Sequence, residues 1–368
     1  MDKKLDFLKK FKKDMEKVEG ISSSSEPPRY WISTGNYVLN KIISDSFYNG
    51  VPQGRLLGLS GPSGSGKSFL IGNIIKNAQK EGAICLVIDS ENALDDVYMN
   101  KIGVDTESDF YDYKSISTIP QLTQVVSSFI KEYKAQFGTD PDAPRVLIGM
   151  DSLDMLMTET EDEQYDKGIM KGDQGQRNKQ FKKILRTFVQ DIKGTNISMV
   201  ITSQVYQNQD LLNGEGLWKI SDAVKFALSQ IVLLTKLKLK ETGKSEVQGI
   251  RMKCQGYKTR FSKPDQTVTI EVPYETGMNP LSGLLEVAIS MGIVEKAGSR
   301  YKLAGDDKTW YSKDIGDYAD EILKQAESAR DKLLKVSAMH EDDEEIGADE
   351  VETSTDTKQR RLKTHRGK

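Results

Sequence analysis

The sequence predicts an α/β fold built on a mostly parallel central sheet, and three observations carry that expectation. Short apolar runs alternate with longer helical stretches between Tyr30 and about Ser229. One run, Leu56-Leu57-Gly58-Leu59, leads into GPSGSGKS at Gly61–Ser68 and then into the apolar stretch Phe69–Ile75. Polar and acidic residues follow several of the runs directly, and open α/β sheets bind ligands beyond the carboxyl ends of their strands.

Taken in order, Lys3 to Val18 places Leu8, Phe11, Met15 and Val18 on one helical stripe with lysines opposite. So short a helix needs a surface, either on its own domain or on a neighbouring subunit that the Ser22–Pro28 linker lets it reach. Strands are expected at Leu56–Ser60, Ile84–Asp89, Val146–Asp151, Ser198–Ser203 and Gln230–Thr235. Helices are expected near Lys67–Lys80, Leu94–Lys101, Gln121–Phe137 and Gln176–Lys193. Gly249–Val272 reads as antiparallel ribbon added to the sheet edge. Thr158–Asp173 and Val205–Lys219 read as two long irregular loops above adjacent strand ends, a placement that suits binding. The expected units are 1–29, an N-terminal helix and linker; 30–275, the core; 276–338, a small C-terminal region; and 339–368, a disordered tail. That tail is acidic around Glu341–Glu345 and basic from Lys358 to Arg366.

Composition narrows the function. The 368 residues suit one large core with appendages, and a net charge of −3 offers no global basic field for nucleic acid. Cys85 and Cys254 lack metal-type spacing and read as buried hydrophobes in a reducing cytosol. The start is too charged for a signal peptide, and no apolar stretch approaches the ~18 residues of a membrane helix.

The chemistry gathers at Gly61–Ser68, which fits the phosphate-loop pattern G-x-x-x-x-G-K-S/T. Its main chain through Gly61, Ser63, Gly64, Ser65 and Gly66 is expected to cradle phosphates, with the helix dipole behind it. Lys67 is placed to reach the β and γ phosphates of ATP, and Ser68 to hold magnesium. Glu91, after the strand Ile84–Asp89, is placed to orient a water toward the γ-phosphate. Asp151 closes another apolar strand and suits the magnesium shell, while Gly149 within that strand suggests close backbone approach. Gln204 follows Ser198–Ser203, where an amide can contact the γ-phosphate.

In order and spacing these motifs resemble the RecA-fold recombinase family, most closely its phage UvsX branch, over about residues 30–303. Asp89-Ser90-Glu91-Asn92-Ala93-Leu94-Asp95 with Tyr98 is similar to DAEHALDxxY; Ala223–Ser229 is similar to ALKFYAS; Asn279–Leu285 is similar to the UvsX stretch DPYSGLL. The resemblance implies a RecA-type ATPase core in which Glu91 activates water, Asp95 and Tyr98 hold adenine, and Gln204 couples ATP to DNA. It implies that Lys258 and Arg260, in register with a KSR motif, reach a neighbouring subunit's phosphates. It also implies single-stranded DNA held by the two long loops. Glu159, Glu161, Asp162 and Glu163 would repel phosphates there, so contacts are expected from Lys167, Lys171, Arg177 and Lys179, with Lys182 and Lys183 nearby. Gly214, Gly216 and Lys219 are candidates on the second loop, and Trp218 either stacks on a base or is buried.

The expectation is a DNA-dependent ATPase that uses ATP and Mg²⁺. It would form a helical homo-oligomeric filament on single-stranded DNA, pair it with double-stranded DNA and exchange strands. A recombination mediator and a single-strand-binding protein are expected partners, with no membrane, in the cytoplasm of a phage-infected bacterium. The alternatives are a ring-forming RecA-fold helicase or clock-type ATPase, and a nucleotide-switched structural adaptor.

Overall fold

In the computed structural model, which describes residues 3–15, 17, 27–169, 175–207, 218–240 and 247–344, the apolar runs assemble into a sheet of eight strands. Helix α1 (Lys3–Met15) precedes it and has no buried residue; Phe7 is 71% exposed and Phe11 50%. The helix stops at Met15, short of the expected end, and Val18 lies outside the described residues. Of its stripe, Leu8 and Phe11 are exposed and Met15 is half-buried among the described residues.

Strand β1 (Trp31–Ile32), α2 (Tyr37–Ser44) and β2 (Val51–Pro52) lead into β3 (Leu56–Ser60). Then come α3 (Lys67–Lys80), β4 (Ile84–Asp89), α4 (Asp96–Ile102) and β5 (Tyr111–Ser115). Helix α5 (Ile119–Phe137) starts at a capping box in which Thr118 and Gln121 satisfy each other's backbone N–H groups. Next are β6 (Val146–Asp151), a 3-10 turn at Leu153–Met155, α6 (Glu159–Asp166), α7 (Gln176–Asp191) and β7 (Ile197–Ser203). The short pair β8 (Val205–Gln207) and β9 (Trp218–Ile220), then α8 (Asp222–Ala227), precede β10 (Gln230–Lys240). The ribbon is β11 (Val247–Lys258) and β12 (Thr267–Pro273). Helix α9 (Leu284–Ser290), the hairpin β13 (Val294–Ala297) and β14 (Arg300–Leu303), and α10 (Ala319–Glu344) complete the described chain.

The strand order is β12-β11-β10-β3-β7-β6-β4-β5. From β10 to β5 every neighbour is parallel, and β11 and β12 add antiparallel to the edge. The chain is thus α/β with a mostly parallel sheet. Strands β3, β6 and β7 are buried along their whole lengths because helices cover both faces. Leu70, Ile71, Ile74 and Ile75 of α3 belong to the core on one face, and Leu122, Val126, Leu185 and Phe188 of α5 and α7 to the core on the other.

Several expectations need correction. The stretch 158–173 is not all irregular. Residues Glu159–Asp166 are helical, opened by a Thr158–Glu161 capping box, and Glu159, Glu161 and Asp162 occupy the first turn, where they complement the helix dipole. Both ends of 205–219 are strand, since β8 pairs antiparallel with β9. Helix α10 runs on to Glu344, so the acidic residues Glu341–Glu344 are helical rather than disordered. Residues 345–368 of the tail lie outside the described residues. Strand β5 was not expected: YDYKS lies on the open sheet edge, is half-buried at most, and lacks an apolar pattern.

Candidate functional site

The loop after β3 is anchored at once, as Gly61 N–H donates to the Ser203 carbonyl of β7 at 3.1 Å. Gly64 (φ 68°) and Gly66 (φ 97°) take left-handed backbone that a side chain would strain. Lys67, at the start of α3, is only 7% exposed. Its Nζ donates to the carbonyls of Gly61 at 2.9 Å and Pro62 at 3.1 Å, so its ammonium sits inside the curl of the loop. Burial lowers the Lys67 pKa, while Asp151, Glu91 and Asp154 act to raise it. Ser65 Oγ is buried without a hydrogen-bond partner among the described residues, whereas Ser63 and Gly64 are exposed.

Parallel pairing of β4 with β6 sets Asp89 beside Asp151 at the carboxyl end of the sheet. Asp89 is an organiser: its carboxylate accepts from Glu91 N–H at 2.9 Å, Leu94 N–H at 2.8 Å and the Tyr113 hydroxyl at 3.1 Å. That fixes the turn carrying Glu91, whose Oε1 accepts from the Ser152 hydroxyl at 2.6 Å. Asp151 is fully buried; Oδ1 accepts from the Thr202 hydroxyl, and Oδ2 has no partner among the described residues. Burial raises the Asp151 pKa, opposed by the neighbouring Ser68 and Thr202 hydroxyls and reinforced by Glu91 and Asp89. An unpartnered carboxylate oxygen near a serine hydroxyl suits a hard cation such as Mg²⁺. Among the described residues no three His, Cys, Asp or Glu side chains cluster as a full ligand set, so such an ion would share its shell with phosphate and water.

Beside α3 lies a cavity of about 440 Å³, lined by Phe69, Tyr98, Ile102, Pro273, Tyr274 and Met278 among others. Its aromatic and aliphatic walls suit a flat heterocycle. Burial pushes the Tyr98 hydroxyl up to about 12, so it stays neutral. Asp95 caps α4 by accepting from Tyr98 N–H at 2.9 Å. Sequence reasoning missed Tyr274, which β12 delivers from far along the chain. It also missed Lys236 of β10: a Cβ added at Gly64 would stand 2.3 Å from Lys236 Nζ, so a second lysine lies over the phosphate loop. Only the sheet register reveals either residue.

Gln204 follows β7, and its backbone N–H donates to Asp154 Oδ2 at 2.6 Å. Lys258 and Arg260 lie elsewhere. Lys258 pairs with Ile231, and the adjacent Gln230 pairs with Leu57, whereas Ser60, beside the phosphate loop, pairs with Leu233. Ile231 also pairs with Gly58, two positions before Ser60, and Arg260 lies close to Arg55, so the basic pair sits toward the amino ends of the parallel strands, away from its own loop. Lys258 Nζ donates to the Lys225 carbonyl at 2.7 Å, and burial, then Arg260 and Lys225, lower its pKa.

Of the expected DNA contacts, Lys167 pairs with Glu163 at 3.6 Å and Arg177 with Glu161 at 2.8 Å. Lys179, Lys182, Lys183 and Arg186 line an open groove of about 740 Å³ with Phe226, whose ring lies 5.3 Å from Lys182 Nζ. Lys219 is exposed on β9, and Trp218 packs partly against the core. Lys171, Gly214 and Gly216 lie outside the described residues.

The family model of the RecA N-terminal domain matches residues 8–279. "Protein RecA" of Sulfurovum sp. is 25% identical over 338 residues, 88% of each chain. "Protein RecA" of Thermus aquaticus is 28% identical over 295 residues, 78% of this chain and 80% of that protein. "DNA repair protein recA homolog 3, mitochondrial" of Arabidopsis thaliana is 24% identical over 312 residues, 82% of this chain and 66% of that protein.

Proposed function

Because this chain belongs to the RecA N-terminal domain family, we propose that it is an ATP-dependent recombinase that forms filaments on single-stranded DNA, pairs it with duplex and exchanges strands. The observation that carries the reading is that Lys258 and Arg260 lie toward the amino ends of the parallel strands, away from their own glycine loop. Cations so placed suit a neighbouring subunit's site better than their own, as a filament requires.

In this reading the loop main chain and Lys67 hold the ATP phosphates, exchanging the Gly61 and Pro62 carbonyls for phosphate oxygens. Ser68 and Asp151 would hold Mg²⁺, which when bound supplies charge neutralisation between the phosphates. Glu91, held by Ser152, orients water in line with the β–γ bond. Lys258 and Arg260 of the adjoining subunit stabilise the developing charge. Tyr98 and Tyr274 enclose the adenine. DNA runs over the two loops and the groove of Lys179 and Arg186, steered by local charge despite the acidic chain. Helix α1, which has no buried residue among the described residues, docks on the next subunit.

The stretch Asn279–Leu285 favours the UvsX-like branch. Asn36 at the start of α2 donates to the carbonyls of Asn279, Pro280 and Ser282, so the motif clamps the C-terminal region to the core. The setting would be a phage-infected bacterial cytoplasm, with a mediator and a single-strand-binding protein as partners. Among the described residues no helix is long and apolar enough to cross a membrane.

The test is ATP turnover against added single-stranded DNA, with imaging of the same sample. DNA-stimulated turnover and open helical filaments are expected. Closed rings would favour the helicase-like alternative, and negligible turnover the adaptor.

A further inference from the structure

We propose that Asp154 is a positioning residue that clamps the main chain of Gln204 to the turn after β6 and so links the nucleotide site to the bases of both loops. This rests on the nucleotide-site reading above. Asp154 stands in the 3-10 turn Leu153–Met155, between the buried Leu153 and the exposed Met155. Its carboxylate accepts from Gln204 N–H at 2.6 Å, a short, charge-assisted bond across two strand ends. The Tyr206 side chain, two residues beyond Gln204 on β8, lies close to the same carboxylate, which after burial raises its pKa. On the other side Arg177 Nη1 donates to the Asp154 carbonyl at 3.5 Å, and Arg177 Nη2 pairs with Glu161 at 2.8 Å. Glu161 in turn accepts from Thr158 N–H at 2.7 Å, at the start of α6. One residue thus meets the strand end carrying the γ-phosphate candidate, the base of the second loop and the base of the first.

The charges explain why nucleotide would be felt here. Burial raises the Asp154 pKa and Glu91 adds to it, while the Gln204 N–H, Lys67 and Arg177 lower it, so the carboxylate lies within the field of the phosphate loop. A γ-phosphate drawn to Lys67 adds negative charge beside Asp154, so ATP and ADP load the clamp differently. A coupled equilibrium needs that differential interaction.

The experiment uses the full chain as wild type, Asp154→Ala and Asp154→Asn. It measures affinity for a labelled oligo-dT strand with a slowly hydrolysed ATP analogue and with ADP, affinity for a fluorescent ATP analogue, and thermal unfolding. In folded Asp154→Ala the ratio of DNA affinities between the two nucleotide states should fall about tenfold, with analogue affinity retained. Asp154→Asn keeps an acceptor oxygen but loses the charge, and should fall in between; it decides the matter if the alanine variant does not fold. A wild-type ratio in either folded variant would overturn the role of Asp154, as would parallel loss of nucleotide and DNA affinity. Wild-type protein whose DNA affinity ignores nucleotide would instead overturn the function reading itself, and the coupling role with it.

Discussion

Glu91 and Asp151 are both carboxylates at strand ends, and their surroundings give them different work. Glu91 is half-buried, and one of its oxygens accepts from the Ser152 hydroxyl. Removing its charge should leave ATP binding intact and lower turnover by about 10²–10⁴-fold. Single-turnover hydrolysis by Glu91→Gln at saturating ATP measures this, and near-normal chemistry would remove Glu91 from the mechanism. Asp151 is fully buried, and burial holds its carboxyl above the ordinary carboxylate range. The folded chain therefore binds this proton more tightly than the unfolded chain. Its stabilising contribution is complete below the ordinary carboxylate pKa and is lost as pH rises through the raised value. At neutral pH Asp151→Asn should melt higher than wild type in chelator, with the gain shrinking as pH falls toward the ordinary carboxylate range. The same variant should gain no stability from magnesium and ATP together. Melting curves across pH, with and without the nucleotide, test both statements; a variant less stable than wild type at neutral pH in chelator contradicts the first.

Helix α3 carries the loop, and it lies close on the sheet where the sheet lacks side chains. A Cβ at Gly149 of β6 would meet Ile75 Cδ1 at 3.2 Å and Ile71 Cδ1 at 3.5 Å. This is the close approach that a glycine within an apolar strand suggests. Gly149→Val forces α3 outward, and the overpacking should cost about 1–3 kcal/mol. Because Lys67 opens this helix, ATP affinity should fall with stability. Denaturant titration beside nucleotide titration checks the pairing, and loss of stability with unchanged affinity would show that the loop does not follow the helix. At this scale the sequence was legible where patterns were strong. The boundaries of β3, β4, β6 and α3 follow from apolar runs bounded by glycine or charge. Helix α6 was missed because ETEDEQYD has no apolar face, and only its Thr158–Glu161 capping box announces it.

The glycine loop and Lys67 follow β3 at the carboxyl end of the sheet, while Lys258 and Arg260 lie toward the amino ends of the same strands. If each site takes its last cations from a neighbour, Lys258→Ala with Arg260→Ala should be dominant. In mixed assemblies the variant subunits should depress ATP turnover below the wild-type fraction, because each deprives an adjoining wild-type site. Turnover against mixing ratio, with co-assembly confirmed by labelling, measures this; simple proportionality would count against a shared site. Helix α1 belongs to the same scale. Removing residues 1–20 should leave ATP binding unchanged and impair polymerisation, as read by light scattering, since no residue of α1 is buried among the described residues. Normal polymers from the truncated chain would end that role.

By itself the sequence determined the α/β class, the glycine loop after β3 and the carboxylates at the ends of β4 and β6. Those features are local: glycines that permit a left-handed turn, apolar runs of strand length, and charged residues directly after them. Tertiary structure alone decided what depends on register between distant segments. It brought Tyr274 to the cavity beside α3 and Lys236 over Gly64. It joined Asp154 to the Gln204 amide, and it set Lys258 and Arg260 toward the amino ends of the strands, away from their own loop. Residues separated by many positions meet only when strand order and pairing are settled, and strand order follows from how both faces of the sheet are buried, which no single segment encodes.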